Sequence, residues 1–320
     1  MITVAGFNTA IDRRVELRAA LQPGVVQRAA DGRALPGGKG LHVAQMAAEL
    51  GEPAQLVGLS DAAHDALIAA HLRARRVTWH GVRMPHALRQ CLALHQPDGR
   101  ITEILEPGAT LDADIREALL ERVHTCLDAS DILVLSGSLP RGFSADTYAM
   151  LAREAARRGV PCLVDASGDA LRHALEASPT LVKPNADEAA AMVGHAVHDA
   201  ADAMACARLL HRRGVHHAVV TLGAQGAVGF DGRQAWHATL AVDDAHNTVG
   251  SGDCFLAGLA VALRRGQDMP AALRLATACG VANACSEETG FADAAHVAAE
   301  LARVQVRAWP DASAGGAPPD

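Results

Sequence analysis

From Asp112 onward the sequence switches between helical and strand periodicity without a break. Helical patterns over 112–128, 144–158, 169–177 and 199–213 lead into the apolar runs DILVLSG, PCLVDAS, TLVKPN and HAVVTLG, with a further helix over 186–193. Strands this uniformly apolar belong in a sheet buried on both faces, and parallel neighbours need a helix-length crossover between them. The fold class this predicts is α/β: a doubly wound, mostly parallel sheet. Ligands of such sheets bind beyond the carboxyl ends of the strands, where Asn8 to Asp12, Ser136-Gly137-Ser138, Asp165, Lys183-Pro184-Asn185 and Thr221-Leu222-Gly223 all fall.

Ahead of Asp112 come a first strand at 2–6, a helix after PGGKG, a strand at 55–60 and a helix over 63–75. Segments 13–35 and 77–105 read as short strands outside the main core and are expected to form a small β lid. One domain is expected over 1–304, with 305–320 a disordered tail rich in small residues and proline.

A net charge of −7 disfavours general nucleic-acid or membrane-surface binding. The sequence offers neither an apolar span long enough for a bilayer nor a basic leader, so a cytoplasmic location is expected. Seven scattered cysteines without a CxxC pair and histidines without HExxH argue against disulfide and transition-metal frameworks. Of 29 basic residues only Lys39 and Lys183 are lysine, and both sit in glycine- or proline-punctuated motifs, so those positions call for an ammonium rather than a guanidinium.

Two glycine-rich turns open helices: PGGKG at 36–40 and GSG at 250–252. Helix N-termini hold anions through unpaired amides and the helix dipole. Asp253, directly after the second turn, is either a helix cap or a base that takes the proton of an attacking hydroxyl. Neither turn matches the P-loop or the dinucleotide fingerprint. Together they suggest two halves of a site for a phosphate-bearing substrate and a phosphoryl donor.

PGGKGLHVAQMAAELG and NTVGSGDCFLAG resemble the two signatures of the ribokinase-like (PfkB) carbohydrate kinases. NTAIDRRVEL, TEILEPG, LVLSGSLPRG, VDASGDAL, LVKPNADE and VTLGAQGA follow in the family's order, and the nearest subgroup is the hexose-phosphate kinases. The resemblance implies an ATP- and Mg²⁺-dependent kinase acting on a ketohexose phosphate, with fructose 1-phosphate the first expectation and tagatose 6-phosphate or fructose 6-phosphate the next. A sugar-phosphate-binding protein with little turnover is the expectation from another class. By the resemblance Asp253 is the base, and Gly250, Ser251 and Gly252 form the anion hole. Asp12, Gly37 and Gly38 hold sugar hydroxyls, with His42 beside them, while Lys39 and Arg89 meet the sugar's phosphate. Lys183, Asn185, Thr221, Gly223 and Gly226 belong to the nucleotide, and Glu188 organises Mg²⁺ through water. The lid is expected to pair two subunits as a homodimer. Read singly, Lys183 to Asn185 is also a plain strand end, Arg89 a solvated strand residue and Glu188 a first-turn acid favoured by the dipole.

Three residues depart from the family pattern. His42 replaces an asparagine with a bulkier, ionisable ring whose charge a sugar phosphate favours and a helix N-terminus opposes. Leu105 removes a polar group facing the sugar, and Glu288 puts an acid near the nucleotide where the family has glycine.

Overall fold

The computed structural model describes residues 1–242 and 244–310. Its first third comprises β1 (Ile2–Ala5), β2 (Ala10–Leu17), β3 (Ala29–Gly37), α1 (Lys39–Glu49), β4 (Ala54–Ser60), α2 (Asp65–Ala74), β5 (Val77–Arg83), β6 (Arg89–His95) and β7 (Ile101–Leu105). The alternating region supplies α3 (Ala113–Leu127), β8 (Ile132–Ser136), α4 (Thr147–Arg157), β9 (Cys162–Asp165), α5 (Gly168–Leu175), β10 (Leu181–Val182), α6 (Ala186–Val193), α7 (Ala200–Arg212) and β11 (His217–Thr221). The chain then continues through β12 (Ala227–Phe230), β13 (Ala235–Thr239), α8 (Ser251–Arg264), α9 (Met269–Ala284), α10 (Ala294–Leu301) and β14 (Gln305–Ala308).

The main sheet runs β14-β13-β12-β11-β10-β9-β8-β1-β4-β5. From β5 to β11 all neighbours are parallel. Every residue of β1, β4, β8 and β9 is buried, as strands covered on both faces must be. β1 takes β4 on one side and β8 on the other, so successive crossovers leave it in opposite directions. That reversal opens a crevice at the strands' carboxyl ends. Beneath it Phe7 stacks on Phe143 with centroids 5.3 Å apart, and the buried Tyr148 hydroxyl donates to the Gly137 carbonyl at 3.1 Å. The turn after β8 is therefore anchored from below.

A second sheet, β3-β2-β6-β7, stands over the crevice. It is drawn from both outlying segments, but the boundaries differ from the sequence expectation. Val77–Arg83 pairs in parallel with β4 at the edge of the main sheet, so only the later part of 77–105 enters the lid. The other end also differs: β12, β13 and β14 extend the main sheet by antiparallel pairing. Residues 305–308 are thus a strand of the domain rather than tail, and the rest of the expected tail from 311 lies outside the described residues. No helix among the described residues is long and apolar enough to cross a membrane.

Candidate active site

A cavity of about 660 Å³ lies between the crevice and the lid. It brings together Asp12, Gly38, Lys39, His42, Arg89, Lys183, Asn185, Thr221, Gly250, Gly252 and Asp253, which the sequence scatters over more than two hundred positions. Gly223 and Gly226 lie on the turn beyond Thr221 and do not line it, and Gly226 instead makes room for the Ala238 carbonyl of β13.

The GSG turn opens α8, with Gly250 as its N-cap at φ 81°. Ser251, Gly252 and Asp253 therefore form the first helical turn, where backbone donors face outward and the dipole favours an anion. No side chain among the described residues caps α8, so the capping alternative for Asp253 falls. The turn is braced by Asn283 of α9, whose buried amide donates to the Val249 carbonyl at 2.9 Å and to Ser251 Oγ at 2.9 Å. Its oxygen accepts from the Phe291 amide at 3.0 Å. Asn283 is not legible as a site residue in the sequence, because one polar residue in a long apolar helix gives no local signal of what it will bridge.

Asp253 is 6% exposed, and its Oδ2 lies 2.8 Å from Nδ1 of His42. The other ring nitrogen, Nε2, lies 3.0 Å from Oδ2 of Asp12. The departure at position 42 thus links the two carboxylates that the resemblance places at base and sugar. Burial opposes a charge on the imidazole, but the hydrogen bonds and charges of Asp12 and Asp253 outweigh it and push its pKa up to about 10. For Asp12, burial likewise works against ionisation. The His42 bond and charge, the Gly38 amide and Arg89 overcome it, holding the carboxyl below its usual value. Glycine at 37 is required here, since a Cβ would fall on the Asp12 carboxylate, and glycine at 290 keeps a Cβ out of the His42 ring.

The chain's two lysines converge on one buried acid. Nζ of Lys183 is 3.3 Å, and Nζ of Lys39 3.8 Å, from Oδ2 of Asp165, which is 1% exposed. Neither oxygen of Asp165 accepts a hydrogen bond from the described residues, so the contact is electrostatic. Asp165 is the largest influence raising the pKa of Lys39, against burial and with help from Asp253. Lys183 also stands beside Gly252: a Cβ there would be 3.8 Å from its ammonium. Lys183 accordingly faces the mouth of the α8 turn, and both lysines line the cavity. Arg89 donates from Nε to the Asn8 carbonyl at 3.0 Å and from Nη1 to Glu106 at 3.3 Å, which fixes the guanidinium at the lid's root.

Glu188 and Asn185 form a reciprocal cap of α6, with Asn185 Oδ1 accepting from the Glu188 amide at 2.8 Å and Glu188 Oε2 from the Asn185 amide at 3.0 Å. No group of three or more His, Cys, Asp or Glu side chains among the described residues is placed to hold a metal. Asp165 is already compensated by two ammonium groups. Glu188 itself does not line the cavity, and one of its carboxylate oxygens is taken by the cap of α6. Glu288 lines the cavity but is engaged: Arg75 Nη2 donates to its two oxygens at 2.7 and 2.6 Å and stacks 3.6 Å above the Phe291 ring. Leu105 is 58% exposed at the lid edge of the cavity.

The sequence profile of the pfkB family carbohydrate kinases matches residues 4–295. The chain is 34% identical over 279 residues to the 1-phosphofructokinase of Rhodobacter capsulatus, covering 87% of this chain and 88% of that one. To the tagatose-6-phosphate kinase of Staphylococcus epidermidis it is 31% identical over 258 residues, covering 79% and 83%. Its fold superposes on phosphofructokinase-2 of Escherichia coli, solved in complex with substrates and products, with a TM-score of 0.87 at 28% identity, covering 94% and 98%.

Proposed function

The chain belongs to the pfkB family of carbohydrate kinases, enzymes that transfer a phosphoryl group to a sugar hydroxyl, and from that premise we propose that it phosphorylates a ketohexose phosphate with ATP and Mg²⁺. Fructose 1-phosphate is the acceptor we place first, and tagatose 6-phosphate and fructose 6-phosphate follow. The observation that carries this reading is the placement of Asp253 in the first turn of α8 with Lys183 beside Gly252 and Arg89 and Asp12 lining the same cavity.

In that arrangement the sugar lies under the lid with a hydroxyl toward Asp253. Oδ2 of Asp253 is taken by His42, which leaves Oδ1 to accept the hydroxyl proton as the oxygen attacks. The first-turn amides of α8 and the Lys183 ammonium stabilise the charge of the transferring group. Lys39 and Arg89 provide fixed positive charge for the phosphate already on the acceptor. Mg²⁺, when bound, neutralises charge on the donor phosphates. Two lids could pair through exposed Leu35, Ile104 and Leu105 to make a homodimer.

Measuring ATP consumption over a panel of ketohexose phosphates and free sugars tests the reading. Turnover confined to phosphorylated ketohexoses is expected, with fructose 1-phosphate giving the highest kcat/KM. The His42 contact to Asp253 favours one competitor, a binding protein with little turnover, which binding of every acceptor without ATP consumption would establish.

A further inference from the structure

His42 sits where two acidic side chains from different elements approach from opposite sides. Its ring nitrogens are 3.0 Å from Oδ2 of Asp12 on β2 and 2.8 Å from Oδ2 of Asp253 on α8. Ionised carboxylates only accept hydrogen bonds, whereas a neutral imidazole has one donor and one acceptor. A neutral ring would therefore set a lone pair against one of the two oxygens, and only the imidazolium satisfies both. The pair of distances is a geometric argument for the charged ring, and the upward shift of its pKa agrees with it.

We infer that the imidazolium of His42 is a positioning residue that couples the sugar-facing carboxylate Asp12 to the general base Asp253. This rests on the kinase reading for the roles of the two acids but not for the bridge itself. Burial and packing around Gly290 hold the ring in place. His42 is 5% exposed, its ring fills the space left by Gly290, and Gln45, one turn further along α1, donates to the Gly290 carbonyl at 2.8 Å. Gln45 in turn meets His71 Nε2 at 3.0 Å, and Arg75 with Glu288 holds the same loop from outside. Movement of Asp12 by a bound sugar is then felt at Asp253 through one rigid ring.

Other charges face this ring from its surroundings. Glu103 of β7 adds negative potential at the ring, Lys39 of α1 and Arg89 of β6 act on its partners Asp253 and Asp12, burial holds the pKa of the neighbouring His71 of α2 below its usual value, and the Arg75 and Glu288 pair lies beyond Gln45. Among the described residues only Asp12 and Asp253 bond to the ring, so removal of either is the perturbation that matters. The family's asparagine at this position cannot carry the charge and reaches less far than imidazole, so the coupling is a property of this chain's own substitution.

Two measurements test the inference. Ring-nitrogen NMR of the full-length protein with labelled histidine, with His42 assigned by its loss in His42→Asn, should show both nitrogens protonated at about pH 8, where an ordinary imidazole is neutral. It should also show the proton more weakly held in Asp12→Asn. A neutral ring at that pH overturns the inference, whether or not any sugar is turned over. The second measurement is kinetic, on whichever acceptor is phosphorylated. Asp12→Asn should raise KM and also lower kcat about tenfold in the wild type, but raise KM alone in the His42→Asn background, as coupled residues do. An equal effect on kcat in both backgrounds would mean that His42 only packs there. Protonated nitrogens with no turnover on any sugar phosphate would sink the kinase proposal and leave the bridge standing.

Discussion

The ammonium of Lys183 lies 3.3 Å from Oδ2 of Asp165, deep at the carboxyl edge of the sheet. Lys39 approaches the same oxygen, so one buried carboxylate holds two cations whose surplus charge faces the cavity. Asp165→Asn should therefore leave two ammonium groups without their anion. Breaking a buried pair of this kind costs about 3 kcal/mol, which predicts a melting temperature several degrees lower. ATP should raise the melting temperature of the variant more than that of the wild type, because its phosphates replace the missing charge. Equal increments from ATP in both proteins would count against a nucleotide-phosphate role for Lys183.

Asp253→Asn retains an oxygen for His42 but cannot take a proton. Turnover should fall on the order of 10²-fold or more, with sugar and nucleotide binding within a few-fold of wild type. Steady-state kinetics with calorimetric binding decide the point, and near-normal turnover would leave Asp253 with a structural role only.

Arg89 is fixed by two backbone carbonyls at the root of the lid, and its remaining donors are spared for an anion. Arg89→Ala should weaken binding of phosphorylated ketohexoses about tenfold or more and of unphosphorylated sugars little. Equal weakening of both would move the sugar phosphate away from this residue.

Glu288 shows where local reading of the sequence stops. An acid in place of glycine reads as a repulsive neighbour for a nucleotide, yet Arg75 from the end of α2 neutralises it, across more than two hundred positions. Glu288→Gln should change nucleotide affinity less than about threefold and stability by less than about 1 kcal/mol, since the pair is a quarter exposed. A tenfold gain in ATP affinity would restore the repulsive reading.

The alternation of helix and strand after Asp112 carried the parallel sheet, because each crossover is a local pattern with a single packing solution. The edges were less legible. β12 and β13 are strands of four and five residues, and β14 of four, too short for alternation to stand out from a turn-rich background. Val77–Arg83 belongs to the main sheet because β4 offers it a parallel edge, a preference its own residues do not encode. At the site, Asp253, Lys39 and Lys183 could be singled out from glycine turns and rare ammonium groups. The ionisation of His42 could not, since the sequence shows the helix N-terminus that opposes a charge and conceals the two carboxylates that impose it.

That ionisation has a consequence for stability. His42 has an ordinary pKa of 6.5 when exposed and about 10 in the folded protein. Between those values the folded chain keeps a proton that the unfolded chain has released, so raising the pH favours unfolding. The contribution is whole below the unfolded value, declines through the interval and is lost above the folded value. Its steepest slope is about 1.4 kcal/mol per pH unit for one proton. Other groups titrate over the same range, but His42→Asn lacks only this one. Urea unfolding of both proteins from about pH 6 to about pH 10 should show the wild type losing stability relative to the variant as the pH rises. Parallel stability curves over that interval would mean that the folded ring holds its proton no more tightly than the unfolded one.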